Sequence, residues 1–128
     1  MNIEEVYAGF NHWLKDLDFL DMERRFLKKI IKDYISGSGL ISRKIVTDFE
    51  ERLTQLGMDI HSLRTDIIST QTRIELIIKD EIEHSWNEIQ DQQTILHSRY
   101  DELFSAFHRF KMELYQVAAQ IMEEEAMD

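Results

Sequence analysis

The sequence predicts an all-α fold, an elongated antiparallel three-helix bundle forming a single domain over residues 1–128. Three observations lead there. The chain has no proline and only four glycines, Gly9, Gly37, Gly39 and Gly57, and chains so poor in turn formers are built of long helices. Apolar residues recur at alternating spacings of three and four, the heptad period of coiled-coil-like helices packed lengthwise. That period breaks near residues 36–40 and again near 79–85, leaving three tracts of similar length. At 128 residues there is enough chain to bury one core but not two.

Helix 1 is expected over about residues 3–35, with Ile3, Val6, Phe10, Trp13, Leu17, Leu20, Arg24, Leu27, Ile31 and Tyr34 on its seam. Asn2 followed by Glu5 makes an N-terminal cap, because both side chains can accept from backbone N–H groups that lack a partner. The helix stops at "SGSG", Ser36 to Gly39, where Gly37 is the residue able to close it in a left-handed conformation. So short a linker favours an antiparallel return.

Helix 2 follows over about residues 41–78, with the seam Val46, Phe49, Leu53, Leu56, Ile60, Leu63, Ile67, Thr70, Ile74 and Ile77. Gly57 falls inside this repeat but off the seam, and costs about 1 kcal/mol relative to alanine. Helix 3 is expected over about residues 86–124, on Trp86, Ile89, Gln93, Leu96, Tyr100, Leu103, Phe107, Phe110, Leu114, Val117 and Ile121. Glutamates at its C-terminus, Glu123 to Glu125, oppose the helix dipole and predict fraying of the last residues.

Ile77 and Trp86 are nine residues apart, which puts them on opposite sides of one continuous helix. A turn between them resolves the conflict, and Ser85-x-x-Glu88 then reads as a capping box opening helix 3. Two other arrangements compete. One is a turn at the polar Ser69–Thr72 run, where Thr72-x-x-Glu75 is also a capping box; the other is a bent continuous helix carried by Ile74, Ile78, Ile82 and Trp86. The turn at 79–85 gives the best-matched helices, each roughly 50–60 Å long.

Charge and composition narrow the function. The formal charge of −10 argues against a nucleic-acid backbone as partner. The basic residues Arg24, Arg25, Lys28, Lys29 and Lys32 lie among acidic ones and read as a mixed solvated face. Cysteine is absent, so thiolate metal sites and cysteine nucleophiles are excluded. The N-terminal "MNIEEVYAGF" has no signal-like apolar run, and no segment approaches the ~18 apolar residues of a membrane span. The expected location is cytoplasmic, with no membrane partner.

Candidate chemistry is sparse. Glu81-x-x-His84 has the spacing used by di-iron helical bundles, but such sites need a second copy of the motif and inward glutamates from two further helices. Glu81 and His84 are therefore only weak metal candidates. His12, His61, His97 and His108 include no pair four residues apart on one helix. There is no nucleophile elbow or phosphate-binding glycine loop. No catalytic residue and no cofactor is expected.

Two positions stand out for other reasons. Arg24 occupies a seam position, where its stem is expected to pack while the guanidinium reaches the edge or a carboxylate; a polar seam residue can also set register. Helix 1 carries a second apolar group, Phe19, Met22, Phe26 and Ile30, about 80–160° round from Leu20. Either helix 1 sits deep between its neighbours, or this group is the interface with another subunit, a twofold homodimer.

The stretch "HWLKDLDFLDMERRFLKKII", His12 to Ile31, resembles the first helix of a family of short bacterial proteins made of three long helices. There a tryptophan precedes an aromatic-rich L-x-F-x-x-x-E stretch, here Leu17-Asp18-Phe19 through Glu23. "VTDFEERLTQLGMDIHSLRTDI" and "RYDELFSAFHRFKMEL" are similar in style to the second and third helices. The resemblance implies three helices with a loop before the third, and transfers no activity and no functional residue. The function expected is thus non-enzymatic protein–protein contact, as scaffold, adaptor or self-associating unit. A metal- or small-ligand-binding bundle is the alternative.

Overall fold

The computed structural model describes residues 2–79 and 86–127. They form three helices: α1 (Ile3–Ile30), prolonged by a π-helical turn (Ile31–Ile35), α2 (Arg43–Ile78) and α3 (Trp86–Met127). Among the described residues there is no strand.

Helix α1 starts where its cap predicts. Asn2 is extended, and its Oδ1 accepts the Glu5 N–H at 2.8 Å. Glu4 and Glu5 lie at the positive end of the helix dipole, and Lys28 and Lys29 at the negative end. Beyond Ile30 the helix widens: the Ser36 N–H donates to the Ile31 carbonyl, five residues back, at 2.8 Å. The wider turn carries Ile35 into the core, fully buried, whereas an unbroken heptad would place Tyr34 there. Tyr34 packs only partly against the core.

The 36–40 connection differs from expectation in one respect. The left-handed residue is Gly39, at φ +70°, not Gly37. Gly37 is needed for space, because a β-carbon there would lie 2.5 Å from the Asp33 carbonyl oxygen. Ser38 donates its hydroxyl to the Ile35 carbonyl at 2.8 Å and accepts the Leu40 N–H at 3.1 Å. Ser42, which the sequence reading did not single out, then caps α2 by accepting the Ile45 N–H at 3.3 Å.

Helix α2 runs unbroken through Gly57 and through Ser69–Thr72, so the turn at 69–72 is ruled out. The single continuous helix is ruled out as well, because α3 packs antiparallel on α2. Arg52 pairs with Glu113, Asp66 with Arg99, and Arg73 with Glu88. Residues 80–85 of the predicted 79–85 turn, with Ser85 of the predicted cap, lie outside the described residues; Glu88 is in the first turn of α3. α3 continues to Met127 rather than ending near 124. Glutamate, alanine and methionine are all strong helix formers, and that propensity outweighs the unfavourable dipole.

The three helices alternate in direction. Tyr7 meets Glu75 and Asp18 meets Arg64, so α1 and α2 are antiparallel. Asp16 meets Tyr100 and Glu23 meets Lys111, so α1 and α3 run in the same direction. Packing is most extensive between α1 and α2 and between α2 and α3, while α1 and α3 touch least. The core is one continuous apolar column from Val6 on α1 to Ile121 on α3. Nine of the ten predicted seam residues of α2, Val46 to Ile74, are buried, and Ile77 is half-buried. Gln71, a polar residue beside that seam, is buried too, at 7% exposure.

The glycines yield a stability test. A β-carbon at Gly9 would meet nothing within 4 Å, so Gly9→Ala is expected to stabilise the protein by about 0.5–1 kcal/mol through helix propensity. Gly37→Ala is expected to destabilise it by more than that, because the Asp33 carbonyl must move. Urea unfolding followed by circular dichroism measures both, and equal effects would contradict the different surroundings described here.

Candidate functional site

The residues with the most evident capacity for interaction lie on the outer face of α1. Once the seam of α1 is turned into the bundle, a side chain 80–160° away has no helix of the same chain to cover it. Phe19, Met22 and Phe26 are accordingly 71%, 64% and 58% exposed. Helix 1 does not sit deep between its neighbours. Ile30, the fourth member of the predicted interface, is half-buried and packs against the core at the edge of this face. The Glu23–Lys111 ion pair, 2.7 Å, fixes the level of α3 beside it. Just beyond Lys111, Met112 and Tyr115 are also exposed, at 46% and 41%. Phe19, Met22 and Phe26 thus present large apolar side chains to solvent on successive turns of α1.

A second cluster forms nearer the N-terminus of α1. Trp13 stacks on His97, with centroids 5.3 Å apart and planes 10° apart, and on Tyr100 at 5.2 Å. The Tyr100 hydroxyl donates to Asp16 Oδ2 at 2.5 Å, and the Tyr100 ring lies 4.4 Å from that of Phe104. Burial, then the hydrogen bond to Asp16, then the charges of Asp16 and Asp101 hold the Tyr100 phenol well above its ordinary range. On the α2 side, the Gln71 amide donates to Asn11 Oδ1 at 2.8 Å and to the Tyr7 carbonyl at 3.4 Å. The Tyr7 hydroxyl donates to Glu75 at 2.5 Å, and that bond, with some burial, raises its pKa too. These contacts tie α1 to both other helices. The hydroxyls of Tyr7 and Tyr100 and the Gln71 amide are each engaged in these contacts.

Gln71 and Asn11 were not legible as partners, since both lie off the heptad seams. Only the register of α1 against α2 brings them together. The stacking of His97 on Trp13 was equally hidden, because the histidine is otherwise a surface residue with its side chain 59% exposed.

Arg24, the polar seam residue, solves its placement with a glycine. Its stem lies over Gly57 of α2, where a β-carbon would stand 3.0 Å from Cδ and 3.1 Å from Nε. Its Nε donates to Asp21 Oδ1 at 2.9 Å. Gly57 is thus more than a tolerated helix glycine, because it makes room for a guanidinium on the seam.

Among the described residues no group of three histidine, aspartate or glutamate side chains could hold a metal ion. Glu81 and His84 lie outside the described residues. A groove of about 530 Å³ between α2 and α3 is open and includes Arg99 among its lining residues. That guanidinium already donates to Asp66 at 2.6 Å and to Ser62 at 3.3 Å. No described helix is long and apolar enough to cross a membrane. Comparison of the chain with protein-family models, with curated proteins and with solved structures found no match.

Two outcomes follow from these contacts. Gly57→Ala is expected to be nearly neutral alone, because the propensity gain is offset by crowding of Arg24. In an Arg24→Ala background it should stabilise by up to about 1 kcal/mol. A double-mutant cycle by urea denaturation reads the difference, and additive values would mean that Arg24 does not rest on Gly57. The second outcome concerns pH. A phenol raised in the folded state contributes stability that is complete below about pH 10 and is lost as pH rises through that range toward the raised value. The urea midpoint is therefore expected to fall between pH 9 and pH 11, and to fall less in Tyr100→Phe, which is itself about 1 kcal/mol less stable at neutral pH.

Proposed function

We propose that this protein is a non-enzymatic helical bundle that works by protein–protein contact, as a scaffold, adaptor or self-associating unit, through the outer face of α1. The observation that carries the reading is the exposure of Phe19, Met22 and Phe26 on consecutive turns of one helix. Burying a large apolar side chain is worth about 1.5–3 kcal/mol, and a twofold contact uses each of them twice. The polar residues of the bundle support the same reading. Among the described residues, Gln71, Tyr7 and Tyr100 are engaged in joining helices.

The occupant favoured here is a second copy of the chain. Static light scattering of the purified protein at micromolar concentration is expected to give a dimer. Phe26→Asp, which would place a carboxylate in an apolar contact, should weaken association at least about tenfold. A strict monomer over the whole concentration range, with Phe26→Asp no different, removes self-association from the reading.

A further inference from the structure

The outer face of α1 carries a second heptad row of its own. His12, Lys15, Phe19, Met22, Phe26, Lys29 and Asp33 follow one another at alternating spacings of three and four. Every one of them is exposed, and Asp33 belongs to the π-helical turn. This row has the pattern of a helix–helix contact, apolar in the middle and charged toward its ends. From Lys15 to Asp33 it extends about 27 Å along the helix.

The charges choose the partner's direction. A parallel pairing of two such rows would set Lys15 on Lys15, Lys29 on Lys29 and Asp33 on Asp33, like charge on like. An antiparallel pairing avoids this, and two antiparallel registers bring the apolar centres together. In one, Phe19 faces Met22, but Lys15 then faces Phe26, Lys29 faces His12, and Asp33 faces no basic residue. In the other, Met22 faces Phe26, Phe19 lies along the methylene stem of Lys29, and Lys15 faces Asp33. By twofold symmetry each of these contacts occurs twice. Only the second register neutralises charge at both ends of the row.

We propose that α1 pairs antiparallel with the α1 of a second copy about a twofold axis level with Arg24, so that Lys15 stands opposite Asp33 and Met22 opposite Phe26 of that copy. This rests on the self-association reading above and adds its direction and register. The pairing completes a six-helix assembly in which the two apolar rows cover each other.

The chain contains no cysteine, which makes the register directly measurable. Full-length Lys15→Cys and Asp33→Cys proteins, mixed in equal amounts, allowed to exchange and then oxidised, are expected to give the 15–33 disulfide at least tenfold over either homodimer. Both positions are on the surface, so folding is not at issue, and circular dichroism checks it. A mixture of Lys15→Cys and Phe26→Cys is expected to stay unlinked, because the two positions are then about 10 Å apart along the axis. Preferential 15–26 linkage, or a 15–15 link, in a protein that still sizes as a dimer overturns the register and leaves self-association standing. A protein that is monomeric by light scattering and forms none of these links overturns both.

Discussion

The apolar column running from Val6 to Ile121 is the constraint on which the rest of this structure depends. A helix in water is marginal by itself, and its stability in a protein comes from the face it buries against a neighbour. Here the alternation of three and four keeps one apolar side chain turned inward at about every turn, over nearly the whole length of all three helices. Because the seams are long and nearly uniform, they specify that the helices lie lengthwise. They say much less about how far one may slide against another, since a shift by seven residues still places apolar on apolar.

Polar contacts remove that freedom. Gln71 reaches Asn11 and the Tyr7 carbonyl, Tyr7 reaches Glu75, and Tyr100 reaches Asp16. A slip of one heptad would break both hydrogen bonds of the buried Gln71 amide, each worth about 0.5–1.5 kcal/mol. Arg24 over Gly57 acts in the same sense through shape, because a β-carbon on the facing helix would crowd the arginine stem at 3.0 Å. Around this interior, exposed ion pairs such as Arg52–Glu113 and Arg73–Glu88 each contribute little. The same arrangement decides what is left over: with the seams of α1 and α3 turned inward, Phe19, Met22 and Phe26 have nowhere to go but outward.

How far the sequence could be read depends on whether a feature is local or relational. The Asn2 cap is local, set by a side chain within a turn of where it acts, and it was legible. The π-turn was not. It exchanges Tyr34 for Ile35 in the core, and a heptad count has no term for an extra residue in one turn. The closing glycine was misplaced by two residues, since Gly37 and Gly39 both suit a turn and only the backbone path decides which takes positive φ. The apolar group on α1 was visible from its angle to the seam, and whether it was buried or exposed was not.

By itself the sequence determined the fold class, the three helices and nearly the whole core, because heptad spacing and the scarcity of glycine and proline act residue by residue along the chain. It also determined which chemistries are ruled out, since a chain without cysteine holds no thiolate site. Only the tertiary structure decided the partners across helices: Gln71 with Asn11, Trp13 with His97 and Tyr100, Arg24 over Gly57. It decided, too, that the second apolar row of α1 faces outward. The physical reason is that such contacts depend on axial register and on which flank of each helix its neighbours occupy, and those quantities belong to the packed assembly and to no single helix.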